Sequence, residues 1–215
     1  MEAVPRPDAR RAAGRVLSPE GSTLRSIRSI MAPESYDQDR IDKLLDPDAF
    51  RYCSGEELRG YLAPTREWRV ADFGSGPGLF TSELAPVVDT VFAIDLREDL
   101  HRIYRERGMP TNVVPVVADF GTLPFPTNSL DGGVSIRTFH HGFDASLEEI
   151  SRIVRPDGRL VIVDWSATGA GDREFRTDEE YFDPAAVQSR LLDNDFRIES
   201  AHERRETFVV VAERR

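Results

Sequence analysis

The stretch Val70-Ala71-Asp72-Phe73-Gly74-Ser75-Gly76-Pro77-Gly78 decides the fold of this 215-residue chain. Its first half is a mostly apolar run that predicts a buried β-strand, and its second half has glycine at every other position. Glycine allows the backbone to turn tightly and to approach a ligand closely. Because an apolar segment begins at Leu79, the stretch predicts a strand, a ligand-binding turn and a helix in succession.

The rest of the chain repeats this alternation of strand and helix. We predict seven strands, at residues 69–73, 90–94, 113–117, 130–136, 159–164, 196–201 and 207–212. We predict helices at residues 35–45, from 54, at 79–84, 97–107, 145–154 and 184–192, and a turn at 156–158. The last two strands are joined by a connection too short for a crossover helix, so they should be antiparallel. The pattern predicts an α/β fold with a Rossmann-like, doubly wound, mostly parallel seven-stranded sheet and an antiparallel last strand.

Three segments are predicted along the chain. Residues 65–215 form the ligand-binding domain, and residues 31–64 supply short helices that cover its site. Ser54 and Glu57 have the spacing of a capping box at the start of one of these helices. Residues 1–30 are rich in arginine and lack the apolar stretch of a secretory signal, so they are predicted to be a disordered extension.

Composition narrows the classes of partner. The chain has 28 basic and 38 acidic residues and a formal net charge of -10, which repels a phosphate backbone, so no nucleic-acid partner is expected. No apolar run is long enough to span a membrane. Cys53 is the single cysteine, which excludes an intramolecular disulfide and fits a cytoplasmic protein. We predict that Cys53 is a small buried hydrophobic residue.

The glycine loop is of a kind that binds nucleotide-like ligands. Dinucleotide-binding dehydrogenases have a third glycine at the position where this chain has Leu79. Asp95 ends the second predicted strand, about twenty residues after Gly74, where a carboxylate can accept hydrogen bonds from ribose hydroxyls. Asp95 is also suited to cap the helix predicted from Arg97. These residues indicate a ribose-containing ligand, with a helix cap as the simpler alternative for Asp95.

Four motifs in order resemble the class I S-adenosylmethionine-dependent methyltransferases. They are the G-x-G-x-G loop preceded by Asp72, the segment A-D-F-G-T-L-P-F at 118–125, F-H-H at 139–141 and R-P-D-G-R at 155–159. The resemblance covers residues 65–212. It is closest to the small-molecule branch typified by the ubiquinone/menaquinone-biosynthesis C-methyltransferases.

The resemblance implies S-adenosylmethionine as the cofactor and a set of residues that bind it. Asp119 would bind the exocyclic amine of adenine, and Phe120 would stack on the ring. The cofactor-binding residues implied are Asp72, Gly74, Ser75, Gly76, Gly78, Asp95, Leu96, Asp119, Phe120 and Arg137.

The acceptor side of the site is less determined by the sequence. His140 and His141 follow the fourth strand, where the methyl group should emerge, so either histidine is a candidate general base or only a lining residue. No third ligand with suitable spacing accompanies them, so no metal site is expected. Trp165 is a candidate wall for an apolar acceptor, with core packing as the alternative. The loop at 166–177 is a candidate lid or a solvated connection.

The leading hypothesis is methyl transfer from S-adenosylmethionine to a small-molecule acceptor by in-line displacement. An NAD(P)-dependent oxidoreductase is the main alternative, although it predicts glycine at position 79. A nucleic-acid methyltransferase usually has an N/D-P-P-Y/F motif after the fourth strand, where this chain reads S-I-R-T-F at 135–139. A non-catalytic cofactor-binding protein is a further alternative. The oligomeric state is not predicted.

Overall fold

The computed structural model describes residues 38–142, 144–169 and 181–215. The predicted extension at 1–30, and Ser35 as a helix cap, lie outside these residues. The chain enters the described region with helix α1 (Gln38–Leu44), a 3-10 helix (Pro47–Arg51) and α2 (Gly55–Leu62). The elements that follow are β1 (Arg69–Phe73), α3 (Thr81–Leu84), β2 (Thr90–Asp95), α4 (Glu98–Glu106), β3 (Val113–Val117), β4 (Leu130–Ile136), α5 (Leu147–Ile153), β5 (Val154–Trp165), α6 (Pro184–Asp193), β6 (Phe196–Glu203) and β7 (Thr207–Arg214). Among the helices described, none is long and apolar enough to cross a membrane.

The seven strands form one sheet in the order β3-β2-β1-β4-β5-β7-β6. The pairs β1–β2, β1–β4, β2–β3 and β4–β5 are parallel, whereas β7 is antiparallel to both β5 and β6. The predicted fold class is therefore confirmed. Strand order reverses between β1 and β4, and ligands of open parallel sheets bind beyond the carboxyl ends of the strands at such a point.

The predicted turn at 156–158 is wrong, because these residues lie inside β5. Val154 already pairs with Leu130, and Arg159 pairs with Gly132, so the residues between them bulge out of a single strand. Asp157 has a φ of 61°, a left-handed conformation that aspartate tolerates. Because β5 pairs with β4 on both sides of the Pro-Asp-Gly sequence, these residues form a bulge within the strand instead of a turn.

Apolar side chains cover both faces of the sheet. One layer includes the fully buried Phe73, Phe92 and Phe139, and the other includes Leu58 and Leu84. The strands β1, β2 and β4 are buried over nearly their whole length, as parallel strands covered on both faces require.

Cys53 lies in the second apolar layer and has no exposed surface, so the prediction of a buried hydrophobic residue is confirmed. Burial raises the pKa of the Cys53 thiol to about 12. The thiol is therefore protonated at neutral pH and unreactive.

The helices before β1 are joined to the far edge of the sheet by Arg204, in the turn between β6 and β7. Its guanidinium donates to the backbone oxygen of Tyr52 at 2.6 Å and to the Glu57 carboxylate at 2.8 Å. The predicted capping box is also present: the Ser54 amide donates to Glu57 Oε2, and the Glu57 amide donates to Ser54 Oγ. These bonds hold α2 and Tyr52 against the domain.

The glycine loop is held from below by α4. Ser82 Oγ donates to the backbone oxygen of Gly78 and lies 2.8 Å from the Tyr104 hydroxyl. Gly78 has a φ of 86°, and a Cβ atom added there would lie 2.3 Å from the Tyr104 ring. Position 78 therefore requires glycine for both its backbone conformation and its contact with Tyr104.

We predict that Gly78→Ala lowers the free energy of unfolding by about 3 kcal/mol, since it combines a left-handed backbone with overpacking against Tyr104. Urea denaturation measures this change. Gly60→Ala is the matched control, because Gly60 is an exposed residue of α2 with open space at its Cβ position. The control should be neutral or slightly stabilising. Equal stability of the two variants would contradict the packing of the loop on Tyr104.

Candidate active site

The glycine loop reaches the carboxyl edge of the sheet between β1 and α3. Three hydrogen bonds hold it to the end of β2: Gly74 and Ser75 donate to the backbone oxygen of Ile94, and Gly76 donates to Asp95 Oδ2 at 2.9 Å. Gly76 has a φ of 53°, and apart from Gly76 and its two chain neighbours no heavy atom of the described residues lies within 4 Å of the place where its Cβ would be. The loop therefore presents bare backbone to open space at Gly76.

The Asp95 carboxylate lies at the centre of this arrangement. One oxygen accepts the Gly76 amide and the other accepts the Arg97 amide, both at 2.9 Å. Burial raises the pKa of Asp95, and the two amide bonds oppose that rise. A carboxylate has about four acceptor positions, so Asp95 can still accept hydrogen bonds from a ligand. The bond to Arg97 shapes the turn before α4. The alternative of Asp95 as helix cap is wrong, because the N-cap residue of α4 is Arg97 and no side chain caps the helix.

Asp72 lies beneath the loop rather than on its open side. Its side chain is almost fully buried, and Oδ2 accepts a hydrogen bond from Thr81 Oγ1 at 2.5 Å. Burial raises the pKa of Asp72 to about 7, and the nearby Asp95 contributes to the rise. Asp72 thus joins the end of β1 to α3 and supports the loop. Although it was predicted as a cofactor-binding residue, its side chain is buried beneath the loop and does not line the open side.

Sequence analysis missed His101, a fully buried residue of α4. Its Nε2 lies 3.5 Å from Ser75 Oγ, and Nδ1 has no hydrogen-bond partner among the described residues. Burial lowers the pKa of His101 to about 4, so the ring is neutral near pH 7. The signal available was the helical spacing of Leu100 and Tyr104, which places His101 on the inward side of α4.

Three residues predicted to bind the cofactor follow β2 and β3. Leu96 exposes 39% of its surface. Phe120 is half-buried and packs edge to face on Phe73, with ring centroids 6.2 Å apart. Asp119 is exposed and accepts the Gly121 amide at 2.8 Å. An apolar side chain, an aromatic ring and an exposed carboxylate therefore stand at two neighbouring strand ends.

On the other side of the switch point, aromatic rings lie near a strained arginine. Arg137 follows β4 with a φ of 57°, and its guanidinium carbon lies 5.7 Å from the Tyr52 ring and 5.9 Å from the Trp165 ring. Trp165 is only 4% exposed and packs edge to face on Tyr52 at 4.8 Å. Trp165 therefore packs in the interior, as the alternative to an acceptor wall foresaw.

The two histidines after β4 differ in their surroundings. His140 Nδ1 lies 3.1 Å from an oxygen of Asp164, a fully buried carboxylate. His141 is exposed, and its ring centroid lies 4.0 Å from that of His140. Desolvation by the surrounding chain, followed by repulsion from His140, lowers the pKa of His141 to about 4.

The candidate lid at 166–177 is described only at its beginning, residues 166–169. Ser166 and Thr168 both hydrogen-bond to Glu203, and Ser166 forms an isolated bridge with Phe182. Residues 170–177 lie outside the described residues.

The comparisons with known proteins agree with this geometry. Residues 71–162 match the family of methyltransferase domains. The ubiquinone/menaquinone biosynthesis C-methyltransferase UbiE of Ectopseudomonas mendocina is 30% identical over 137 residues, which are 59% of this chain and 53% of that protein. The O-methyltransferase cnsE of Penicillium expansum is 34% identical over 110 residues, which are 48% of this chain and 40% of that protein.

A solved structure extends the likeness to most of the fold. The crystal structure of a SAM-dependent methyltransferase from Aquifex aeolicus superposes with a TM-score of 0.71 at 26% identity, covering 83% of this chain and 98% of that one. Residues 71–162 are thus similar to class I methyltransferase domains, and they lie within a fold that the Aquifex aeolicus protein shares over most of this chain. The cofactor of such domains is S-adenosylmethionine. The chain spans about half the length of the curated relatives it matches.

The residues of the methyltransferase domain fit this cofactor. The open space at Gly76 lies beside Asp95, whose remaining acceptor positions suit two vicinal ribose hydroxyls. Leu96 and Phe120 are apolar side chains at neighbouring strand ends, of the kind that an adenine ring would contact. The cofactor has no pyrophosphate, so it does not require the glycine spacing of a dehydrogenase loop, which would place a third glycine at Leu79.

We predict that Asp72→Asn changes how stability depends on pH. Below about pH 4 the Asp72 carboxyl is protonated in both the folded and the unfolded chain. Between about pH 4 and 7 it is ionised only in the unfolded chain, which favours unfolding. Above pH 7 it is ionised in both. The free energy of unfolding of Asp72→Asn, relative to the natural chain, should therefore rise by on the order of 4 kcal/mol between pH 4 and 7.

Urea denaturation at pH 4, 5.5 and 8 measures this difference. Asp89→Asn is the control, because Asp89 also accepts a threonine hydroxyl, from Thr90, but is exposed. A pH-independent difference between Asp72→Asn and the natural chain would mean that Asp72 folds without a desolvation cost.

Proposed function

We propose that this chain transfers the methyl group of S-adenosylmethionine to a small-molecule acceptor by in-line displacement. The observation that carries the proposal is the bond from Gly76 to Asp95, which places a carboxylate with free acceptor positions beside bare, open backbone. The same bond belongs to a domain whose relatives are methyltransferases. The comparisons give no support to the oxidoreductase or non-catalytic alternatives.

In this proposal the residues around the loop bind and orient the cofactor. Asp95 accepts the ribose hydroxyls, Asp119 accepts the adenine amine, and Leu96 and Phe120 contact the adenine faces. Gly74, Ser75, Gly76 and Gly78 line the loop, Asp72 supports it, and Arg137 stands at the end nearest the acceptor. The bound cofactor supplies a methyl group already activated by a sulfonium. Because the methyl group is activated, position and orientation provide much of the rate acceleration.

The acceptor is proposed to be a small molecule rather than a nucleic acid. The net charge of -10 opposes binding of a phosphate backbone. The relatives include one named as a C-methyltransferase and one named as an O-methyltransferase, so kinship leaves the methylated atom open. A cytoplasmic location remains a prediction.

We predict that the chain binds S-adenosylhomocysteine and not NADH in isothermal titration calorimetry. Asp95→Ala should weaken S-adenosylhomocysteine binding about tenfold or more, because charge-assisted hydrogen bonds to the ribose are lost. Asp99→Ala is the control, since Asp99 pairs with Arg97 on the first turn of α4 and has no contact with Gly76.

Two results would overturn the proposal. Binding of NADH without S-adenosylhomocysteine would favour the oxidoreductase alternative. An Asp95→Ala variant with lower thermal stability but unchanged affinity would reduce Asp95 to a residue that shapes the turn before α4.

A further inference from the structure

A histidine–aspartate pair joins the carboxyl ends of β4 and β5. His140 Nδ1 lies 3.1 and 3.3 Å from the two oxygens of Asp164. Asp164 has no exposed surface, and it also accepts the amides of Phe139 at 2.7 Å and Trp165 at 2.8 Å. The carboxylate is therefore fixed in position by backbone on two sides, and it fixes the imidazole in turn.

This pairing determines which ring nitrogen is available for chemistry. An imidazole whose Nδ1–H donates to a carboxylate keeps its Nε2 lone pair free to accept a proton. After Nε2 takes up a proton, the buried carboxylate stabilises the imidazolium. Asp164 thus gives His140 the orientation and the charge support that a general base needs.

The pair lies on the border between the glycine loop and the acceptor side. Thr138, two residues before His140, is so close to the loop that a Cβ added at Gly74 would lie 2.1 Å from Thr138 Cγ2. Arg137, on the same segment, places its positive charge near the Tyr52 and Trp165 rings. A histidine paired with a buried carboxylate and an arginine guanidinium therefore lie on one short segment beside the loop, a combination suited to a phenolic hydroxyl and the phenolate formed from it.

We propose that His140 Nε2 is the general base of the methyl transfer, that Asp164 is its positioning residue, and that the acceptor is a phenol or enol methylated on oxygen. The inference rests on the proposed function. The acceptor O–H gives its proton to Nε2, and the oxygen forms a bond to the methyl carbon as the methyl–sulfur bond breaks. The electron pair of that bond stays on sulfur, and the imidazolium later releases its proton to water.

His141 is the less suitable of the two histidines. It is exposed, and unlike His140 it has no hydrogen bond to a buried carboxylate among the described residues. Its contact with His140 is through the rings, so its role is to line the His140 side of the site.

The test uses 4-nitrocatechol, a phenol whose absorbance reports its ionisation. It is titrated into the full chain saturated with S-adenosylhomocysteine, at a pH below the first pKa of the free probe. We expect the phenolate band to appear on binding, and His140→Gln to lower the ionised fraction of bound probe about tenfold. Asp164→Asn should lower it too, whereas His202→Gln, on the outer strand β6, should leave it unchanged.

A methylation assay with catechol and S-adenosylmethionine provides the second measurement. His140→Gln should lower the turnover number about a hundredfold, with S-adenosylhomocysteine affinity and circular dichroism preserved. Mass spectrometry should find the methyl group on oxygen. If Asp164→Asn fails to fold, nitrogen NMR of the natural chain tests the pairing instead, because the neutral His140 ring should hold its proton on Nδ1.

Several outcomes would overturn the inference. They are neutral bound nitrocatechol, no binding of nitrocatechol, methylation on carbon, a His140 ring protonated on Nε2, or a greater loss in His141→Gln than in His140→Gln. In each of these cases, retained binding of S-adenosylhomocysteine leaves the proposed function standing. Loss of that binding in the natural chain would instead refute the proposed function itself.

Discussion

The hydrogen bonding between the glycine loop and the end of β2 is the constraint on which the rest of the site depends. Two loop amides share the Ile94 carbonyl, and the third donates to the Asp95 carboxylate. These bonds fix the height of the loop above the sheet and the direction of the acceptor oxygens. Everything that meets the loop, from Thr81 below to Thr138 beside it, is positioned relative to that junction.

Buried carboxylates perform three different tasks in this small region. Asp95 accepts two backbone amides and faces the open space beside Gly76. Asp72 is buried and accepts the Thr81 hydroxyl. Asp164 accepts two backbone amides and lies within hydrogen-bond distance of the His140 imidazole. Desolvation raises the pKa of both Asp72 and Asp95. One hydroxyl, that of Thr81, opposes the rise at Asp72, whereas two backbone amides oppose it at Asp95. The environment, rather than the residue type, separates a carboxylate that supports the loop from one that keeps acceptor positions open.

Sequence patterns were sufficient for the strands and insufficient for contacts between distant segments. All seven strands were predictable because apolar runs, or in β6 an alternation of apolar and polar residues, lie next to turn residues. The short link before β7 required an antiparallel pair. The bulge at Asp157 was not predictable, because its turn chemistry is overridden by pairing with β4 on either side. The position of Asp95 beside the glycine loop could be predicted from its place at a strand end. The pairing of His140 with Asp164 could not, because it depends on the register of β4 against β5.

The position of β7 between β5 and β6 has a consequence for the order of folding. Strands β2 and β3 pair with their predecessors in sequence, and β4 returns to pair with β1, so the part of the sheet that carries the glycine loop needs no residue after β4. Strand β5, which ends in Asp164 and Trp165, gains its second neighbour only when residues 207–214 pair with it. During synthesis the part of the sheet that carries the glycine loop can therefore be in place while the part that holds the histidine–aspartate pair is still incomplete.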